Sequence, residues 1–118
     1  MKLSRKEYGK IHGNMLYIAG ILMDCQRILG NSVDKDISNM KDKDVHKLLS
    51  NIQTCIEKSR TLNAELDETL KRKIDADDIE NINETKELLE NMLSQFEEMR
   101  WGLVLESVER TGYPVIIV

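Results

Sequence analysis

Residues 75–108 read DADDIENINETKELLENMLSQFEEMRWGLVLESV. The stretch opens on an acidic cluster, Asp75, Asp77, Asp78 and Glu80. Its apolar positions then fall at Ile82, Leu89, Met92, Phe96, Met99 and Leu103. With Thr85 counted between Ile82 and Leu89, the steps alternate three and four residues. That is the spacing of a helix that offers a narrow seam to other helices over about three heptads. The helix is expected to run to about Arg110. Thr111-Gly112-Tyr113-Pro114 then supplies a stop, with glycine just past the end and proline two residues on. A rival reading pairs residues 103–108 with residues 115–118 as a β-hairpin across the Gly112 turn.

Upstream, a second helix is expected to start near Asp42 or Asp44, either of which could cap it. Val45, Leu48, Ile52, Cys55, Ser59, Leu62 and Leu66 form its stripe, flanked by Leu49, Ile56 and Leu70. It closes on Lys71, Arg72 and Lys73, cations suited to the negative end of a helix dipole. Ile74 and Asp75 follow as a short turn. Asp75 with Asp78 three residues on approximates a capping box for the third helix. The second and third helices should therefore form an antiparallel hairpin.

The first helix is expected over residues 4–29. Tyr8, Ile11, Met15, Ile18, Leu22, Cys25 and Leu29 again step by three and four, and Leu16, Ile21 and Ile28 widen the stripe. This predicts a helix buried on more than one side. Glycines inside a helix weaken it by about 1 kcal/mol against alanine. The small residues Gly13, Ala19 and Gly20 are thus expected to admit close approach by another helix. Gly30-Asn31 is a natural stop. Residues 32–43 are the least periodic part, with one short helical turn expected at residues 34–40.

The fold expected is all-α: a bundle of three long helices, the second and third forming an antiparallel hairpin, with a short extended C-terminal tail. No repeat or composition shift marks a boundary, so residues 1–118 read as a single helical domain. Composition agrees. The 118 residues are 41% apolar and 32% charged, with one proline and few aromatics, which favours helices over sheets.

Charge narrows the function classes. The formal net charge of −4 gives no reason to expect nucleic acid as a partner. Its distribution is uneven: Lys2, Arg5, Lys6 and Lys10 crowd the N-terminus, whereas residues 75–98 hold nine acids against Lys86. The basic end is expected to lie against the acidic helix. No signal peptide pattern is present, and the most apolar run, residues 15–23, is about half the length of a membrane span. A cytoplasmic protein without membrane contact is expected. Two cysteines fit a reducing compartment. A Lys-, Asn- and Ile-rich composition is compatible with a bacterial, phage or mobile-element origin.

Recognisable chemistry is sparse. His12 and His46 have no second ligand at metal spacing and read as surface residues. Cys25 and Cys55 sit on apolar stripes without a neighbouring base, as packing residues do. Glycines are too scattered for a phosphate loop. No catalytic residue or cofactor is expected.

One constellation stands out. Glu65-Leu66-Asp67-Glu68 and Glu84-Thr85-Lys86-Glu87 are two E-x-x-E pairs on neighbouring helices, and residues three apart share a helix face. Each pair could turn two carboxylates toward one Mg²⁺. The pattern resembles the all-α nucleotide pyrophosphohydrolases of the MazG type, which hold magnesium with E-x-x-E followed by E-x-x-D. Glu87 stands where that family has Asp, and the residues that grip the nucleotide have no match. The resemblance covers these positions alone and implies a Mg²⁺ site at Glu65, Glu68, Glu84 and Glu87.

The stronger expectation comes from surface left over. Three helices can cover one another's inner faces, yet Leu16, Ile21, Ile28, Trp101 and Leu105 would remain outside. An apolar strip of that extent usually marks an interface. A symmetric homodimer, with the first or third helices meeting across the axis, would bury it. The reading is a non-enzymatic, self-associating interaction module of adaptor, inhibitor or chaperone type with a protein partner. The alternatives are the magnesium hydrolase and a small-molecule or nucleotide binder formed between subunits.

Overall fold

A computed structural model describes residues 1–29 and 40–112. They form three helices, α1 (Arg5–Leu29), α2 (Asp42–Leu70) and α3 (Ala76–Thr111), with no strand among the described residues. The expected turn at residues 34–40, apart from Met40, and the extended tail lie outside the described residues. α2 and α3 run antiparallel, tied by Arg60–Glu97 at 3.1 Å and by Lys86–Asp67. α1 runs parallel to α3, with Tyr8 beside Asp78 and Gln26 beside Gln95. It therefore follows only the first two-thirds of α3, whose last turns continue beside the start of α2 and meet it through Arg110 and Asp42 at 2.7 Å. At 1.5 Å per residue α3 is about 54 Å long, and it sets the 54 Å length of the molecule.

The core is built from the three stripes. The seven stripe residues of α2 are all buried, with Leu49 and Ile56 beside them. α3 contributes Ile82, Leu89, Phe96 and Leu103, with Met92 and Met99 at the margin. α1 contributes least: Ile18, Leu22 and Cys25 are buried, while Tyr8, Ile11, Met15 and Leu29 pack on the edge. Among the buried polar residues, Ser59 is fully buried on the α2 stripe, and its hydroxyl has no hydrogen-bond partner among the described residues.

Residues 103–108 are helical, which overturns the hairpin reading. Leu103 and Ser107, one turn apart, are both buried, so that segment packs with a helical period. Residues 115–118 lie outside the described residues. Gly112 ends the helix as expected, in the left-handed region at φ 77°, with its N–H donated to the Val108 carbonyl at 2.7 Å.

The capping expectations need correction. Neither Asp42 nor Asp44 caps α2; Lys41 holds the N-cap position, and Asp42 is turned to Arg110. Both carboxylates stand in the first turn, where the helix dipole favours them. Asp75 is the N-cap of α3 but makes no side-chain cap, and Asp78 does not complete a box. A capping pair occurs instead at the head of α1: Ser4 Oγ accepts the Glu7 N–H at 3.1 Å and donates to the Glu7 carboxylate at 3.4 Å. Ser4-Arg5-Lys6-Glu7 has the spacing of a capping box, a signal legible in the chain.

Candidate functional site

The acidic head of α3 is a docking point for the N-terminal segment. Leu3 is buried in the core, and its N–H donates to Asp78 Oδ2 at 2.8 Å. The Tyr8 hydroxyl donates to Asp78 Oδ1 at 2.5 Å. The Asp75 N–H donates to the Met1 carbonyl at 3.0 Å, and the Asp75 carboxylate accepts from the Met1 ammonium at 3.0 Å. The Tyr8 hydrogen bond, then that of Leu3, holds the Asp78 carboxyl below the usual carboxylate range. The basic end thus does lie against the acidic helix, through the Met1 ammonium, backbone N–H groups and a phenol. Glu7 reverses the pattern by pairing with Arg72 at 2.7 Å. The carboxylates of Asp75, Asp78 and Glu7 are all satisfied from within the chain, as in a structural joint rather than a ligand site.

The two E-x-x-E pairs are not brought to a common point. Asp67, between Glu65 and Glu68, is the residue of that run that meets α3, through Lys86. Glu65 instead borders the groove between α1 and α2. Glu68 pairs with Lys71 one turn along at 2.8 Å, and Glu84 and Glu87 face solvent. Among the described residues, no group of three or more His, Cys, Asp or Glu is placed to hold a metal. Three-residue spacing aligns two carboxylates on one helix, but does not set which way the pair faces.

The groove between α1 and α2 has a volume of about 350 Å³. Tyr17, Ile18 and Leu62 line its apolar side, and Glu57, Lys58 and Glu65 its polar side. Lys58 Nζ lies 5.1 Å from the Tyr17 ring centre, a cation–π contact across the groove. The volume is at the low end for small-molecule sites, and the lining is mixed rather than mostly apolar.

The residues expected outside are mostly there. Leu16 is 73% exposed and Trp101 65%, with Ile28 and Leu105 about half exposed. Ile21 is the exception, because it packs half-buried against the core. α1 is therefore not buried on several sides: one face packs and the opposite one is open. Nor does another helix approach Gly13 or Gly20, since a Cβ at either would meet nothing within 4 Å. Met23 and Tyr17 on α1, and Val108 beside Leu105 on α3, are exposed apolar residues that the sequence reading passed over. The signal for Met23 was available, for it stands one heptad after Leu16.

Both cysteines are free and buried. Burial pushes the Cys25 thiol up to about 11 and raises that of Cys55 as well. His12 and His46 are exposed. No helix among the described residues is long and apolar enough to cross a membrane. The chain matches no family model, no curated protein and no solved structure.

Proposed function

We propose that this protein is a non-enzymatic helical interaction module that self-associates and docks a protein partner, in the manner of an adaptor, inhibitor or chaperone. The observation that carries the reading is the division of apolar side chains between a self-sufficient core and a surplus. α2 and α3 bury their stripes against each other and against one face of α1. Leu16, Tyr17, Met23 and Ile28 on α1, and Trp101, Leu105 and Val108 on α3, take no part in that core and face outward. Trp101, Leu105 and Val108 follow i, i+4, i+7 and share one helix face. Large apolar groups grouped in this way are typical of protein contact surfaces. The dispersal of the four glutamates and the satisfied joint at Asp78 supply no reaction centre to set against it.

Light scattering coupled to size exclusion over a concentration series tests the reading. The expected mass is twice 13.6 kDa at micromolar concentration. A mass that stays at the monomer value up to about 100 µM would remove self-association from the proposal.

A further inference from the structure

The open face of α1 has a pattern that its core face lacks. Opposite the buried Ile18 and Cys25, steps of four and three residues pass through Gly9, Gly13, Leu16, Gly20, Met23 and Arg27, all exposed. A Cβ at any of the three glycines would meet nothing within 4 Å. Each glycine weakens the helix relative to alanine, and no neighbour among the described residues requires it. Leu16 and Met23, the largest apolar groups in the row, stand among them at 73% and 68% exposure.

We propose that this face seats a second copy of the chain, the two α1 helices packing antiparallel about a twofold axis in the register where facing residue numbers sum to 36. The inference rests on the self-association reading above. Leu16 then lies over Gly20 of the second copy and Met23 over its Gly13, and the twofold repeats both contacts with the roles exchanged. Each large side chain enters the gap left by a missing Cβ, so the helix axes can approach closely. The stem of Arg27 lies over Gly9. On one flank of the seam, where opposed residue numbers sum to 34, Lys10 lies beside Asp24 of the second copy, and symmetry makes two such pairs. Lys10 has no ion-pair partner among the described residues, and Asp24 holds only Arg27 at 3.3 Å, where both are well exposed.

Other arrangements of the same face fit less well. A parallel pair sets Leu16 against Leu16 and Gly13 against Gly13, and brings Arg5 beside Lys10, like charge to like. An antiparallel pair slipped by one heptad sets Gly20 opposite Gly9, or Leu16 opposite Arg27. The register that sums to 36 fills both inner glycine gaps and pairs the charges together.

Analytical ultracentrifugation of the full chain and its variants tests the register. Lys10→Glu and Asp24→Lys should each weaken the dimer at least fivefold, and the two combined should restore most of the affinity. Gly20→Leu, which fills the gap, should weaken it by a hundredfold or more, with Gly20→Ala as a milder variant. Circular dichroism should show both variants as helical as the parent, since the added atoms meet open space in the single chain. A wild-type dimer left unchanged by these substitutions overturns the register while self-association stands. A wild-type monomer at every concentration overturns both.

Discussion

The Tyr8 hydroxyl donates to Asp78 at 2.5 Å across seventy residues of chain, and the same carboxylate accepts the backbone N–H of Leu3. The pair joins the first turns of α1 to the first turn of α3. α1 buries only Ile18, Leu22 and Cys25, so this polar joint sets its position along α3 where the apolar contact is thin. Gln26 and Gln95, at 2.7 Å, repeat the alignment further along.

Removing the joint should loosen α1 in particular. Asp78→Ala is expected to lower the melting temperature clearly more than Asp77→Ala, because Asp77 is exposed and surface substitutions usually stay within about 0.5 kcal/mol. Hydrogen exchange should quicken across residues 1–15 in the Asp78 variant while the amides of α2 keep their protection. Uniform loss of protection along the chain would contradict a local joint.

The joint also sets a pH dependence. The Asp78 carboxyl is held low, first by Tyr8 and then by the Leu3 N–H, and that of Glu7 first by Arg72. Groups with a depressed folded pKa add stability that is present above the ordinary carboxylate range and is lost as pH falls through the lowered value. The Tyr8 phenol is raised, first by burial and then by Asp78, so its contribution is present below the ordinary tyrosine range and is lost as pH rises through the raised value. Thermal melts should therefore fall off below about pH 4. Asp78→Asn should flatten that acid limb; an unchanged limb would assign the loss to other carboxylates.

Ser59 offers a substitution of opposite sign. Its buried hydroxyl has no hydrogen-bond partner among the described residues, and an unmade buried hydrogen bond is unfavourable. Ser59→Ala removes that group and improves helix propensity, so urea unfolding should show a gain of about 1 kcal/mol. Phe96→Ala, at a fully buried position on α3, should cost about 3–5 kcal/mol. A loss of stability in Ser59→Ala would mean that the hydroxyl has found a partner.

Buried thiols with raised pKa values react slowly, because the thiolate is the nucleophile. Cys25 and Cys55 in the native protein should label with a disulfide reagent far more slowly than in denaturant. Fast stoichiometric labelling of either residue would show that the contact between α1 and α2 opens readily.

The glutamate pairs are expected to be replaceable. Glu65→Gln combined with Glu68→Gln should alter stability by no more than about 0.5 kcal/mol. Nucleoside triphosphates incubated with the wild-type chain and Mg²⁺ should remain intact. Pyrophosphate release that the double variant abolishes would establish a hydrolase.

The inner surface of this protein was legible from spacing alone. Ile82, Leu89, Phe96 and Leu103, one heptad apart, and the seven stripe residues of α2, with their three-and-four steps, are buried as their spacing implies, with Met92 and Met99 half-buried at the margin of the α3 seam. Gly112 ends α3 where glycine before Tyr-Pro implies it should. Periodicity is local: it follows from the turn of one helix and needs no knowledge of the others. The choices left to tertiary structure concern groups whose partners lie far along the chain. Asp78 could have capped its own helix, but Leu3 and Tyr8 reach it first. Asp42 turns to Arg110 for the same reason. The apolar residues of α1 exceed what a single face can bury. Only the placement of α2 and α3 on one side of that helix decided that Ile21 packs inward while Leu16 and Met23 stay out.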